Sequence, residues 1–291
     1  MVGVPRATTE SEPALELLVE PGGLPSYPLP DRLAQLYPGT LGFTAPCVVA
    51  NFVASVDGVA ALGHEHRSSG SAISGGAPAD RFVMGLLRAC ADAILIGAGT
   101  LRGSPGHAWT PEHVWPRAAG DFSQLRRRLG RADEATLVVV SRRGDVDPLH
   151  PGLRPGTVVL TGDSGARRLR GHLPGHVTVR SLGEGELSAQ SIVGALHADG
   201  HGVVLSEGGP ILIGQLVAAG LVDELFLTVS PALFGRDPGN PRQGIVDAVA
   251  FAPDAAPWLE LYGMRRHGSH VFLRYAWPRS PRRGVSKPAD R

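Results

Sequence analysis

The sequence predicts an α/β fold with a mostly parallel central sheet and antiparallel strands toward its C-terminal end. Three observations predict it. Short apolar runs alternate with segments of helical period, the order that builds parallel strands joined by crossover helices. Two of those runs, at 93–97 and 203–206, lead directly into glycine turns. From Leu225 onward no long helical pattern separates the remaining apolar runs, so antiparallel pairing is expected there.

Element by element, residues 48–56 read as a strand. Residues 78–90 read as a helix, because Phe82, Val83, Leu86, Leu87 and Cys90 share one face. Pro78 suits its first position, where no N–H is needed. A short buried strand follows at 93–97, with no clear helix after it, and then a polar stretch at 103–120. Residues 121–129 read as a short basic helix. Strands are expected at 136–141, 157–161 and 177–180, a helix at 188–198, and a strand at 203–206. A helix at 210–219 is stopped by Gly220. Late strands fall at 225–229 and 270–276.

Composition narrows the class. The chain has 291 residues, 43% of them hydrophobic, and a net charge of +1, which fits a globular protein with a real core and no strong field for nucleic acid or membrane. Lys287 is the single lysine, so a lysine nucleophile in the folded body is excluded. Cys47 and Cys90 form no CxxC pair or zinc spacing, and no metal is expected. Without a leader or a long apolar span, the chain reads as cytoplasmic. Three segments are expected: an N-terminal arm at 1–45, partly disordered; a main domain at 46–277; and a disordered tail at 278–291 with five cations and three prolines.

Three loops can carry chemistry. In Ser206-Glu207-Gly208-Gly209-Pro210 a buried strand ends in two glycines and a helix begins. Glycines let a ligand approach the backbone, and a new helix offers unpaired N–H groups to phosphate; a tight strand–helix turn has the same glycine requirement. Gly97-Ala98-Gly99-Thr100 repeats the pattern. It lacks the helix and distant acid of a Rossmann fingerprint, so that fold is rejected. Two such loops at strand ends make a shared nucleotide crevice. In the third, a strand runs into Asp57-Gly58, which either forms a simple turn or presents a carboxylate to substrate.

In this order, Ser55-Val56-Asp57-Gly58, Leu87-Arg88-Ala89 with 92–100, Ser206 to Pro210, Gly220 to Leu225, and Pro231-Ala232-Leu233-Phe234-Gly235 resemble the C-terminal reductase domain of the bacterial riboflavin-biosynthesis deaminase-reductase, over about residues 46–276. No deaminase zinc motif precedes them, so a stand-alone reductase half is expected. The resemblance implies a dihydrofolate-reductase-like three-layer fold, NADPH as hydride donor, a homodimer, and reduction of a phosphoribosylaminopyrimidine. It places Val53, Gly97, Ala98, Gly99 and Thr100 at the cofactor, together with Gly208, Gly209, Pro210, Ile211, Leu212, Ile213, Gly214 and Gln215. Ser141 and Arg142 are candidates for the adenosine 2′-phosphate, an arginine fork suiting phosphate. Ser55, Asp57, Ser71, Ser74, Arg88 and Glu207 would face substrate. Glu207 and Asp57 are the candidate catalytic residues, Glu207 by holding a substrate hydroxyl or donating a proton; a carboxylate at a helix start is also stabilised by the dipole alone. By its own helix face Arg88 lies with Arg81 and Met84, away from the leucine stripe.

The chain departs from the family after Thr100. Its acidic pair is absent, and Pro111 stands where the arginine for the substrate phosphate is expected, leaving Arg102 or His107 as substitutes. The aromatic-Ile-Ser/Thr segment reads Ser71-Ala72-Ile73-Ser74. The alternatives are a paralogous NADPH reductase of another substrate, such as dihydrofolate, and a non-catalytic dimeric nucleotide-binding protein.

Overall fold

The computed structural model describes residues 12–278, apart from 64, 65, 185, 186, 238, 240 and 241. Residues 1–11 and the tail from 279, both expected to be disordered, lie outside the described residues. In chain order the elements are β1 (Glu16–Val19), α1 (Asp31–Leu36), β2 (Cys47–Ser55), α2 (Ser69–Ser74), α3 (Pro78–Cys90), β3 (Ala93–Gly97), α4 (Ala98–Gly103), α5 (Pro111–Val114), α6 (Ala119–Arg128) and β4 (Thr136–Val140). They continue with β5 (Val158–Thr161), α7 (Asp163–Leu169), β6 (Thr178–Ser181), α8 (Ala189–Ala198), β7 (Val203–Ser206), α9 (Pro210–Ala218), β8 (Glu224–Ser230), β9 (Glu260–His267) and β10 (His270–Ala276).

The strands form one sheet in the order β1-β9-β10-β8-β2-β7-β3-β4-β5-β6. From β8 to β6 every neighbouring pair is parallel, while β8-β10, β10-β9 and β9-β1 are antiparallel. The expected architecture is the observed one. The central strands β3 and β7 are buried along nearly their whole length, so they read as continuous apolar runs. Alternate residues enter two cores. Val49, Ile94, Ile96, Val139 and Leu205 pack with α1, α3 and α6, whereas Val48, Leu95, Val138 and Val204 pack with α8 and α9.

Several elements differ from the sequence expectation. A helix, α4, does follow the Gly97 turn, begun by an extended glycine and anchored by buried Ala98 and Leu101. The elements β1, α1, α2, α7 and β9 have no periodic signal long enough to read, and tertiary contacts form them. The segment expected as an N-terminal arm supplies Leu33, Leu36, Tyr37, Leu41 and Phe43 to the larger core. It also receives two buried arginines. Arg265 donates to Glu20 at 2.5 Å and to the Pro38 carbonyl at 2.8 Å, and Arg274 donates to the Gly42 carbonyl at 2.8 Å. No physical boundary therefore separates residues 12–45 from the domain. Among the described residues no helix is long and apolar enough to cross a membrane.

Candidate active site

Sheet order places the site. After β3 the chain winds outward through β4, β5 and β6, then returns to insert β7 between β3 and β2. At that reversal the loops from adjacent parallel strands diverge and leave a crevice at the carboxyl edge. The crevice is a cleft of about 1910 Å³, beyond the ~300–1,000 Å³ typical of a site for one drug-sized ligand.

Two glycine-led helix starts form one wall. Gly97 caps α4 and Gly209 caps α9, and no side chain closes either first turn. Gly97, Gly99 and Thr100 line the cleft with Gly208, Gly209, Pro210, Ile211, Leu212 and Gln215. A Cβ on Gly97 or Gly99 would meet no atom within 4 Å, and one on Gly209 would meet only Thr100 Oγ1, at 3.5 Å. Backbone there is open to a ligand. Val53 also lines the cleft, and so does Arg142 at the end of β4.

Other expected cofactor residues lie elsewhere. Ile213 is buried in the core beneath α9, and Ala98 is buried below its loop. Gly214 is a packing glycine: a Cβ there would lie 2.5 Å from the Asp247 carbonyl oxygen. Ser141 is buried, its hydroxyl accepting the Asp145 N–H at 2.9 Å and its carbonyl accepting the Thr161 hydroxyl at 2.6 Å. Its side chain serves the turn, and Arg142 alone of that pair reaches the cleft.

Of the residues expected to face substrate, Ser71, Ser74, Arg88 and Glu207 line the cleft. Arg88 is not on an exposed face. The C-terminal end of α3 is buried all round, and Arg88 keeps 1% of its surface. Its Nη2 donates to Glu207 at 2.7 Å, and its Nε lies 3.0 and 3.2 Å from the two Glu207 oxygens. Its Nη1 reaches the carbonyls of Ala108 and Thr110 at 3.3 and 3.2 Å. Arg88 thereby pins the altered loop after α4 to the end of β7.

His107 lies 2.9 Å from Arg88 Nη2, so its Nε2 accepts and the ring is neutral. Burial, and then the Arg88 charge, push its pKa down to about 3. Suggested as a substitute for the missing arginine, His107 carries no charge to offer a phosphate at neutral pH. Arg102 lines the cleft but pairs with Asp145 at 3.0 Å.

Asp57 and Ser55 are not among the cleft-lining residues. The Asp57 carboxylate accepts from the Ser55 hydroxyl and from the N–H groups of Gly235 and Phe234, the former at 2.6 Å. Those bonds, the Ser55 one first, hold its pKa down at about 2. The side chain of Arg236 in turn donates to the carbonyls of Asp57 and Gly58. Of the two readings the sequence allowed, this is the turn: it latches the segment after β8, whose Arg242, Gln243 and Asp247 line the cleft.

Sequence reasoning missed Asp80. It stands in the first turn of α3, where an acid usually faces solvent, yet it is 6% exposed and lines the cleft. Burial raises its pKa, opposed by hydrogen bonds from Thr228 and Ser74 and by the nearby His270. The signal was its spacing: Asp80 stands one turn before Val83 and two before Leu87, at the border of the apolar stripe.

A sequence family described as the RibD C-terminal domain matches residues 46–271. No curated protein sequence matches the chain. Among solved structures, a pyrimidine reductase-like protein from Corynebacterium diphtheriae superposes with a TM-score of 0.64 at 24% identity, covering 81% of this chain and 93% of that one. RibD from Acinetobacter baumannii gives 0.61 at 18% identity over 81% of this chain; the match spans 59% of RibD. The riboflavin biosynthesis reductase Rib7 of Saccharomyces cerevisiae gives 0.54 at 14% identity, over 82% and 93% of the two chains. At these identities the likeness is one of fold.

Proposed function

The chain belongs to the RibD C-terminal domain family, and from that premise we propose that it is an NADPH-dependent reductase of a phosphoribosylaminopyrimidine of the 5-amino-6-(5-phosphoribosylamino)uracil type, acting in riboflavin biosynthesis. The observation that carries the reading is the pair of open glycine-led helix starts, at Gly97 and Gly209, on one wall of the cleft. Fold alone does not assign a reaction; this wall has the chemistry of a dinucleotide seat.

The first turn of α9 would hold the pyrophosphate through backbone N–H groups and the helix dipole. Arg142 would pair with the 2′-phosphate that distinguishes NADPH from NADH. Thr100 and Val53 would border the nicotinamide half. Bound there, the cofactor supplies hydride. The protein's part is to orient both partners and to manage the proton. Arg88 and Glu207 would shape the substrate end by holding each other and the loop through Thr110, while Ser71 would offer a hydroxyl beside it. A cytoplasmic homodimer completes the reading, on the family's precedent.

The test is NADPH and NADH titration of the full chain, with turnover assayed on the phosphoribosylaminouracil and on dihydrofolate. Because Gly209 has room for a Cβ in the free protein, Gly209→Val should fold normally and lose NADPH affinity by about tenfold or more, ~1.4 kcal/mol. Normal affinity in the folded variant would remove the α9 phosphate seat. No NADPH binding by the wild type would sink the reductase.

A further inference from the structure

We propose that Asp80 is the proton donor of the reduction, with Glu207 confined to holding Arg88. The proposal rests on the reductase reading and asks which of the cleft's acids handles the proton. Among the described lining residues the carboxyls are Asp80, Glu207 and Asp247. Glu207 is occupied by three N–H contacts from one guanidinium, which commit both of its oxygens to Arg88. Asp247 accepts from the Gln243 side chain on the outer segment after β8. Asp80 has no guanidinium partner among the described ion pairs and lies near the hydroxyl residues Ser74 and Thr228.

Two carboxyls in one cleft take different roles when their surroundings divide them. A carboxyl held against a cation favours its anion, and one buried without a cationic partner favours its protonated form. Asp80 is 6% exposed, lines the cleft and has no ion-pair partner among the described residues. It is held between α3, α2 and β8, buried on one side and open to the cleft on the other. Groups from each neighbouring element set its state. His270 from β10 favours the anion, while Glu207 beyond β7 favours the acid. The elements α2 and β8 contribute the uncharged Ser74 and Thr228. Arg81 and Arg88, from its own helix, line the same cleft.

The chemistry needs such a group. Reduction of a polar C=N or C=O bond adds hydride to carbon and moves the π electrons onto the heteroatom, which must take a proton. A bound dihydronicotinamide would supply the hydride and its two electrons; the Asp80 carboxyl would give its proton to the substrate heteroatom, and the resulting carboxylate would regain one from water. A carboxyl that only complements the dipole of α3 would instead be ionised at rest.

Infrared difference spectroscopy of the full-length, ligand-free protein separates the two. A protonated-carboxyl stretch should be present near neutral pH, bleach as pH rises, persist in Glu207→Gln and vanish in Asp80→Asn. With NADPH and the phosphoribosylaminouracil, Asp80→Asn should lower kcat about 100-fold or more, the usual worth of general acid catalysis, and leave NADPH affinity unchanged. The wild-type kcat should fall as pH rises through the carboxyl's ionisation, and the variant should lack that limb. A wild type with no protonated-carboxyl band overturns the proposal without needing any Asp80 variant to fold. Full turnover in a folded Asp80→Asn overturns it while leaving the reductase standing; absence of NADPH binding by the wild type overturns both.

Discussion

The Glu207 carboxylate and the Arg88 guanidinium are both withdrawn from water, with side-chain exposures of 8% and 1%. Attraction between them is therefore poorly screened, and removal of one partner strands a buried charge. That loss typically costs ~3–5 kcal/mol, far more than an exposed pair is worth. Glu207→Gln is expected to destabilise the protein by about 3 kcal/mol, lowering Tm by roughly 6–12 °C. Turnover should fall with it, because the same arginine anchors Ala108 and Thr110. Chemical denaturation beside the wild type measures the effect, and a change within about 0.5 kcal/mol, the range of ordinary surface substitutions, would mean the pair is not what holds the loop.

Among the elements, α3 is the one whose packing positions the substrate wall. Gly85 lets it approach α6 and the start of α5: a Cβ there would lie 2.9 Å from Phe122 Cζ and 3.2 Å from the Pro111 carbonyl oxygen. Phe122 is itself fully buried and cannot swing away. Gly85→Ala gains about 1 kcal/mol in helix propensity, but overpacking costs ~1–3 kcal/mol. A net destabilisation is expected. Gly194 in α8 is exposed and a Cβ there meets nothing within 4 Å, so Gly194→Ala should stabilise by ~0.5–1 kcal/mol. Opposite shifts of Tm in the two variants would check the contrast; equal shifts would show that α3 can move away from α6.

At the scale of the whole molecule, the family match begins at residue 46, but the folded body begins earlier. Arg265 stacks on Tyr37 with its charge 4.0 Å from the ring centroid, and Arg274 lies against the rings of both Phe43 and Phe226. Removing residues 12–45 would expose the core face under α1 and leave both arginines buried without their full set of partners. A chain starting at residue 46 is therefore expected to lack a cooperative thermal transition by circular dichroism, where the full chain has one. A cooperative transition near the wild-type Tm would show the N-terminal segment to be a dispensable arm.

Local order decided what the sequence determined by itself. Apolar runs buried on both faces, the amphipathic 78–90 helix and the two glycine turns depend on neighbours within a few residues, so the parallel sheet, the cleft-lining glycines and the family were legible. The late strands betrayed their antiparallel pairing by having no crossover helix. Contacts distant in sequence decided the rest. Arg88 and Glu207 lie 119 positions apart, and Asp57 meets Gly235 across 178. No spacing rule could reveal that the first pair hold each other, or that the Asp57 carboxylate accepts from the Phe234 and Gly235 N–H groups. Asp80 shows the same limit: its place on the helix was readable, but only the packing of distant elements around it buries it to 6% exposure in the cleft wall, and that burial raises its pKa.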